Sequence, residues 1–312
     1  MKVLVTGGAG FIGSHLVDRL VADGHEVTVL DSFSTGKREN LERSRERITL
    51  HEADVRDAPA VVRASEGCEV VFHEAAVVSV PYSVEHPQET HDVNIQGTLN
   101  VLLAARANRV RRVVFASSAA IYGEEPTLPK SEAMVPEPIS PYGVEKLTSE
   151  HYLRTFAHLY GVETVALRYF NVFGTRQDPS SPYSGVISVF VRRLLAKEPI
   201  VIFGDGLQSR DFVHVADVVE ANLRAAFAKG ASGRVYNVAR GERTTLLQLA
   251  EILGRVVGSS AGPTLAAERA GDIRHSQAAI DRARSELDYA PAVDLATGLA
   301  ALVDHERRIH AR

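Results

Sequence analysis

The stretch MKVLVTGGAGFIGSHL, residues 1–16, decides the fold. Residues 3–6 are an apolar run of the kind that forms a buried strand. Gly7, Gly10 and Gly13 follow at once as G-x-x-G-x-x-G, and apolar positions then repeat at helical spacing over Phe11–Ala22. Missing side chains in such a turn let backbone N–H groups and a helix N-terminus reach a pyrophosphate. The same glycines could serve a tight turn without a ligand. An acid at the end of the next strand argues for the ligand: Asp31 closes EVTVLD. A carboxylate there suits ribose hydroxyls and repels a 2′-phosphate, which favours NAD over NADP even with Lys37 and Arg38 nearby.

Outward from this unit, apolar runs recur at Glu26–Asp31, 48–51, Val70–His73, 112–116 and 164–168. Helical periodicity fills the gaps, clearest at Phe11–Ala22, 88–107 and 142–160. The alternation predicts an α/β fold with a doubly wound parallel sheet of Rossmann type. After Phe170 the pattern changes. A Pro/Ser/Gly-rich loop over 178–185 precedes a helix near 187–196, a short strand at 200–203 and the polar turn GDGLQSRD. A strand near Arg234–Val238 and a helix near Leu246–Val257 come next. The expected division is an NAD-binding domain over 1–170, joined by part of 208–240, and a smaller α/β lobe over 171–312. That lobe would close over the carboxyl edge of the sheet, where ligands sit in open α/β folds.

Composition excludes several classes. With 312 residues the chain can bury a full core, and a net charge of -4 gives no reason to expect nucleic acid or an anionic membrane. Cys68 is the only cysteine, which rules out an intrachain disulfide and disfavours a cysteine metal site. No histidine pair at helical spacing is backed by an acid, so no metal is expected. No apolar run is long enough to span a membrane, and Met1-Lys2 enters a strand directly, so the cytoplasm is the expected location. His73, at a strand end, reads as a packed core residue rather than a catalyst.

Tyr142 and Lys146 stand four apart in SPYGVEKL, on one face of a helix that Pro141 starts. A free phenol has a pKa of about 10 and is a poor base at neutral pH. A lysine one turn away and a positively charged nicotinamide would both favour the phenolate. Ser118, in VVFASSAAIYG, ends the fifth strand, where its hydroxyl can bridge a substrate oxygen and the phenol. Hydride chemistry at an alcohol carbon is the expectation. Asp54, in ADVRD, could reach an adenine amino group or cap the helix that starts near Asp57. Asn94, inside an apolar helix, could contact the cofactor or satisfy local backbone.

These motifs together resemble the extended short-chain dehydrogenase/reductase family, and within it the UDP-sugar 4-epimerases. The resemblance spans essentially the whole chain through TGGAGFIGSH, ADVRD, NIQGTLN, ASSAAIYG, SPYGVEK, LRYFNVFG, FGDGLQSRDFVHVADV and RAGDIRHSQA. It implies a tightly held NAD. Hydride leaves C4 of the sugar while Tyr142 takes the hydroxyl proton, the 4-keto sugar turns over, and hydride returns to its other face. It places Phe11, Ile12, Val55, Ala75, Ala76, Ser117 and Tyr169 at the cofactor beside the residues above. It assigns Arg210 and Arg269 to the diphosphate, Asp272 to ribose hydroxyls, Asn171 to phosphate or sugar, and Val186, Ile202 and Phe203 to the uracil. Taken alone, the two arginines could equally be surface ion pairs. A homodimer through the helices over 88–107 and 142–160 is implied as well.

Departures from the family pattern narrow the reaction. Sugar-nucleotide 4,6-dehydratases carry an Asp-Glu pair where this chain has Ala119 and Ala120, and the related decarboxylases tend to have Glu at the latter position. Val78 replaces a lysine of some galactose epimerases, and Ser32 a frequent Asn. Glu74 falls where Leu or Gln is common, without an evident role. Ser276 stands where epimerases restricted to glucose and galactose tend to have Tyr, leaving room for a 2-acetamido group. The expected substrates are UDP-GlcNAc and UDP-GalNAc together with UDP-Glc and UDP-Gal. The same chemistry on UDP-glucuronate, or a non-catalytic NAD(P)-sensing protein, are the alternatives.

Overall fold

The computed structural model describes residues 1–178, 185–259, 262–268 and 274–310. β1 (Lys2–Thr6) passes through the glycine turn into α1 (Phe11–Ala22), and β2 (Glu26–Asp31), β3 (Ile48–Glu52), α2 (Ala58–Ala64) and β4 (Val70–His73) follow. α3 (Val80–Glu85), α4 (Pro87–His91), a π-helical turn Asp92–Gln96 and α5 (Gly97–Ala107) lead to β5 (Arg112–Ser118), α6 (Pro141–Tyr160) and β6 (Glu163–Tyr169). β7 (Asn171–Phe173), α7 (Val186–Leu195), β8 (Val201–Phe203), β9 (Ser209–Arg210), β10 (Phe212–His214) and α8 (Val215–Phe227) come next. β11 (Arg234–Val238), β12 (Thr244–Thr245), α9 (Leu246–Val257), β13 (Thr264–Ala266), α10 (Asp281–Leu287) and α11 (Leu295–His310) complete the described elements.

The central sheet has seven strands in the order β11-β6-β5-β4-β1-β2-β3, every neighbouring pair parallel. This is the doubly wound α/β sheet that the sequence predicts. Strand order reverses between β1 and β4, which opens a crevice at their carboxyl ends. Successive strand residues point to opposite faces. Val3 and Val5 pack with Leu16, Val17 and Leu20 of α1 and Val218 and Ala221 of α8. Leu4 packs with Val61 of α2, Val101 and Leu102 of α5 and Leu153 and Phe156 of α6. Both faces are therefore buried, which is why these strands are apolar without alternation. Truncating one such buried leucine to alanine costs about 2–5 kcal/mol.

A further core joins Phe173, Ile187, Phe190, Leu194, Leu249, Leu253, Leu299 and Val303 beyond the sheet. Three two-stranded pairs frame it: β7 with β10, β8 with β13, and β9 with β12. The chain does not stay in this region: α8 and β11 return to the central sheet.

The helix expected over 88–107 is interrupted. α4 ends at His91, the π turn intervenes, and α5 begins at Gly97. The cause is Asn94, whose amide accepts from Val77 N at 2.8 Å and donates to Val77 O at 3.0 Å and Glu145 at 2.6 Å. Bulges of this kind aim one side chain out of the helical ladder. β5 runs two residues past its apolar run, to Ser118, where the sequence places the end of the strand. Ser117 and Ser118 pair with Arg168 and Tyr169 of β6, so polar residues finish both strands at the crevice.

Candidate active site

The glycine turn has no room for larger residues. Gly7 lies at φ +67°, and a Cβ there would sit 2.6 Å from Ala75 N. A Cβ on Gly13 would sit 2.1 Å from the Gly7 carbonyl oxygen, so α1 packs directly on the turn. Gly10 is the N-cap residue of α1, and no side chain caps that helix. Its first-turn N–H groups are thus left for an anion. Asp31, at the end of β2, is buried and accepts from Ala9 N and Phe33 N, each at 2.8 Å. Burial raises its pKa, and those two bonds oppose the rise. Lys37 bridges to Asp178 at 3.2 Å, and Arg38 to Glu52 at 2.6 Å while lying over the Phe33 ring. Both cations near Asp31 are engaged, which fits NAD rather than NADP. A cradle that any Cβ would fill, beside an acid at a strand end, fits a dinucleotide.

Phe11 and Ile12, in the first turn of α1, are half-buried, as are Ala75 and Ala76 after β4. Val55 is buried against Gly97, and its carbonyl accepts from Asn100 at 2.9 Å. Asp54 faces Arg56 in a two-pronged pair of 3.0 and 2.7 Å, which holds its carboxyl below the usual range. It does not cap α2; Asp57 does, accepting from Ala60 N at 3.2 Å. Asn94 satisfies the Val77 backbone and Glu145, so local bonding accounts for all three of its hydrogen bonds given above.

Ser118, Tyr142 and Lys146 converge at the carboxyl end of β5. α6 begins under Ser140, whose side chain accepts from Gly143 N, with Pro141 in its first turn. A Cβ on Gly143 would sit 2.9 Å from the Ala120 carbonyl oxygen, so the helix start abuts the turn after Ser118. Ser83 accepts from Tyr142 N at 3.1 Å and fixes the same turn. Ser118 Oγ accepts from Ala120 N at 3.1 Å and lies near enough to the Tyr142 phenol to favour its charged form. Lys146 Nζ donates to the Ala116 carbonyl at 2.7 Å and lies 4.7 Å from the Phe115 ring centre and 5.8 Å from that of Tyr142. Burial pushes the Tyr142 phenol up to about 12, with Ser118 opposing and Glu145 adding to the rise. Burial pushes Lys146 down to about 8, against the pull of Glu74, Glu145 and Glu150. A low-dielectric site penalises the phenolate until a further positive charge enters.

Several side chains escaped sequence reasoning. Glu145 accepts from Thr90 and Asn94, each at 2.6 Å. Glu150 pairs with Arg168 at 2.9 and 2.7 Å and accepts from Ser117 at 2.5 Å. Ser117 therefore turns its hydroxyl into the protein. Arg168 continues to Tyr122 at 2.9 Å, and Tyr122 to Asn237 at 2.7 Å. The one available signal was spacing: Lys146 and Glu150 share a helix face, so an exposed role for one contradicts a buried role for the other. Tyr169 donates to Glu74 at 2.9 Å and receives a hydrogen bond from Asn222 at 2.7 Å. His73 is buried between Thr6 at 2.7 Å and Thr98 at 3.0 Å, and burial pushes it down to about 3. It is the packed neutral residue that its position suggested.

On the other side of the crevice, Arg210 is half-buried in β9, donating to the Ser209 carbonyl at 2.9 Å, and Ser276 N donates to that same carbonyl at 3.0 Å. Asn171 is exposed at the start of β7. Val186 and Phe203 are half-buried, whereas Ile202 is buried in the second core. Its side chain has no surface for a uracil, because the neighbouring residues of β8 alternate and Ile202 takes the inward position. Arg269 and Asp272 lie outside the described residues. Among the described residues no cluster of His, Cys, Asp or Glu could hold a metal ion, and no helix is long and apolar enough to cross a membrane.

A glycine cradle, a buried acid at the end of β2 and a Ser-Tyr-Lys set meet at one switch point, an arrangement suited to a nicotinamide dinucleotide. The chain belongs to the NAD dependent epimerase/dehydratase family, whose model matches residues 3–239. It is an isomerase that uses NAD. A UDP-glucose 4-epimerase of Mycolicibacterium smegmatis is 42% identical over 311 residues, covering 98% of this chain and 99% of the relative. The structure of a UDP-glucose 4-epimerase with UDP-glucose from Thermotoga maritima superposes with a TM-score of 0.95 at 40% identity, covering 99% and 100% of the two chains. A UDP-N-acetylglucosamine 4-epimerase of Methanobrevibacter ruminantium, in complex with UDP-N-acetylmuramic acid, also gives 0.95, at 41% identity and 99% and 98% coverage.

Proposed function

We propose that this enzyme is a UDP-sugar 4-epimerase that interconverts UDP-GlcNAc and UDP-GalNAc and accepts UDP-Glc and UDP-Gal as well. The observation that carries the reaction type is the meeting of Ser118, Tyr142 and Lys146 beside two alanines, Ala119 and Ala120. A dehydratase needs an acid and a base on the side chains after the serine, and here there are none. NAD+, when bound, supplies the hydride acceptor and a positive charge. The chain's own part is proton handling. Ser118 orients the C4 hydroxyl against the phenol, Tyr142 takes and returns its proton, and Lys146 supports the phenolate. The turn of Gly7, Gly10 and Gly13 holds the pyrophosphate, and Asp31 the adenosine ribose. Residues 171–312, less α8 and β11, form the lobe that grips the nucleotide, through Arg210 and Asn171 with Val186 and Phe203 at the base.

Ser276 supports the N-acetylated substrate. Its backbone is tied to Ser209, next to Arg210, so its small side chain stands near the proposed diphosphate contact. The reading is tested by following UDP-GlcNAc, UDP-Glc and UDP-GlcA separately by NMR, with wild type and Ser276→Tyr. Wild type should epimerise the first two, and the variant should lose UDP-GlcNAc while keeping UDP-Glc. Turnover of UDP-GlcA alone would overturn it in favour of a glucuronate epimerase.

Self-association into a dimer is part of the reading. Val144, Tyr152 and Leu159 form an exposed stripe along α6, and Leu103 is exposed on α5. Their seven- to eight-residue spacing suits helix-to-helix packing against a second copy. Light scattering should give a dimer for wild type and a monomer for Tyr152→Glu; a wild-type monomer would refute it.

A further inference from the structure

Glu74 follows β4 at the switch point, and the proton handling above gives it no task. Its hydrogen bonds nevertheless have a direction. Asn222, fully buried on α8, donates to the Val218 carbonyl at 3.0 Å and to the Tyr169 oxygen at 2.7 Å. A carbonyl only accepts, so Val218 fixes which end of the amide faces inward. Turning the amide over would set acceptor against acceptor. The Tyr169 oxygen thus receives one hydrogen and gives its own to Glu74 at 2.9 Å. Burial pushes the Glu74 carboxyl up to about 7, and the donor chain that ends on it, with Lys146, pulls the other way toward the carboxylate.

The register of β4 on β5 pairs His73 with Phe115, so Glu74 follows beside Ala116, whose carbonyl holds Lys146 Nζ, and each of the two groups favours the charged form of the other. The surroundings of Lys146 leave no better candidate. Glu145 and Glu150, on its own helix, are engaged with Thr90 and Asn94 and with Arg168 and Ser117. β5 offers the Phe115 ring and the Ala116 carbonyl, and β4 offers neutral His73. Tyr142 is the remaining titratable neighbour on α6. Among the described residues Glu74 makes no ion pair of its own.

We propose that Glu74 is a positioning residue for the reaction: hydrogen-bonded by Tyr169, its carboxylate is the counter-charge from outside α6 that keeps Lys146 an ammonium while Tyr142 loses and regains its proton. The inference rests on the epimerase reading for its kinetic arm only. Glu74→Gln keeps an acceptor for Tyr169 and removes the charge. In protein labelled with ¹³C at lysine Cε, with the Lys146 signal assigned through Lys146→Arg, the Lys146 titration should move down by about one pH unit. The alkaline limb of kcat should move with it, so the loss reaches about tenfold on that limb while activity at pH 6 stays within about twofold. Glu74→Asp, which keeps the charge, should restore most of the shift. An unmoved Lys146 titration overturns the proposal, as does an equal loss of kcat at every pH, which marks a structural role. If wild type turns over no sugar nucleotide, the epimerase reading fails while the titration still decides the role of Glu74.

Discussion

Lys146 Nζ donates to the Ala116 carbonyl at 2.7 Å and lies 5.8 Å from the centre of the Tyr142 ring, so β5 fixes the ammonium beside the phenol. Lys146→Met removes the charge and leaves a buried carbonyl without its donor. The unpaired acceptor should cost about 1–3 kcal/mol of stability, read from urea unfolding. The lost support for proton transfer should lower kcat by about 10²–10⁴-fold. A variant as fast as wild type would remove Lys146 from the reaction.

Glu150 and Arg168 form a buried pair, their side chains 5% and 4% exposed. Arg168→Met leaves the carboxylate with Ser117 as its hydrogen-bond donor, and breaking such a pair from one side costs about 3–5 kcal/mol. The double variant Glu150→Met/Arg168→Met removes both charges and should recover much of that loss. Urea midpoints of the two single variants and the double variant measure it. A double variant that costs the sum of the singles would show that the pair is not coupled.

His73 gives a pH dependence with a definite sign. Burial, with a smaller effect of Lys146, pushes it from 6.5 down to about 3. Between those values the unfolded chain binds a proton that the folded chain does not. Its contribution to stability is therefore complete above pH 6.5 and is lost as pH falls toward 3. The slope from this residue approaches about 1.4 kcal/mol per pH unit within that window. Urea midpoints from pH 7.5 to 5 should fall in wild type and fall less steeply in His73→Gln. Equal slopes would place the acid sensitivity elsewhere.

The central sheet was legible because both of its faces are covered. Runs such as KVLVT and EVTVLD must be apolar throughout, and little else explains them. The glycine turn was legible for the same kind of reason, since Gly7 and Gly13 leave no space for a Cβ. Polar interior groups were not legible. Asn94 breaks an otherwise regular helical pattern, and its partners Val77 and Glu145 are 17 and 51 residues away. Arg168 and Glu150 read as ordinary charges until β6 and α6 come together. Ile202 was a ligand contact only by family resemblance, and an apolar residue on a short strand does not announce that its side chain faces the core. The helix spacing put Lys146 near Tyr142, but the depth at which both are buried was not legible.

The central claim is that Tyr142 moves the C4 hydroxyl proton of a UDP-hexose. The most direct measurement is the rate at which purified wild type and Tyr142→Phe convert UDP-GlcNAc to UDP-GalNAc, followed by NMR. Wild type should reach a mixture of the two sugars, and the variant, which keeps the ring and loses the proton carrier, should be slower by about 10²–10⁴-fold. A Tyr142→Phe enzyme that epimerises at the wild-type rate would contradict the account.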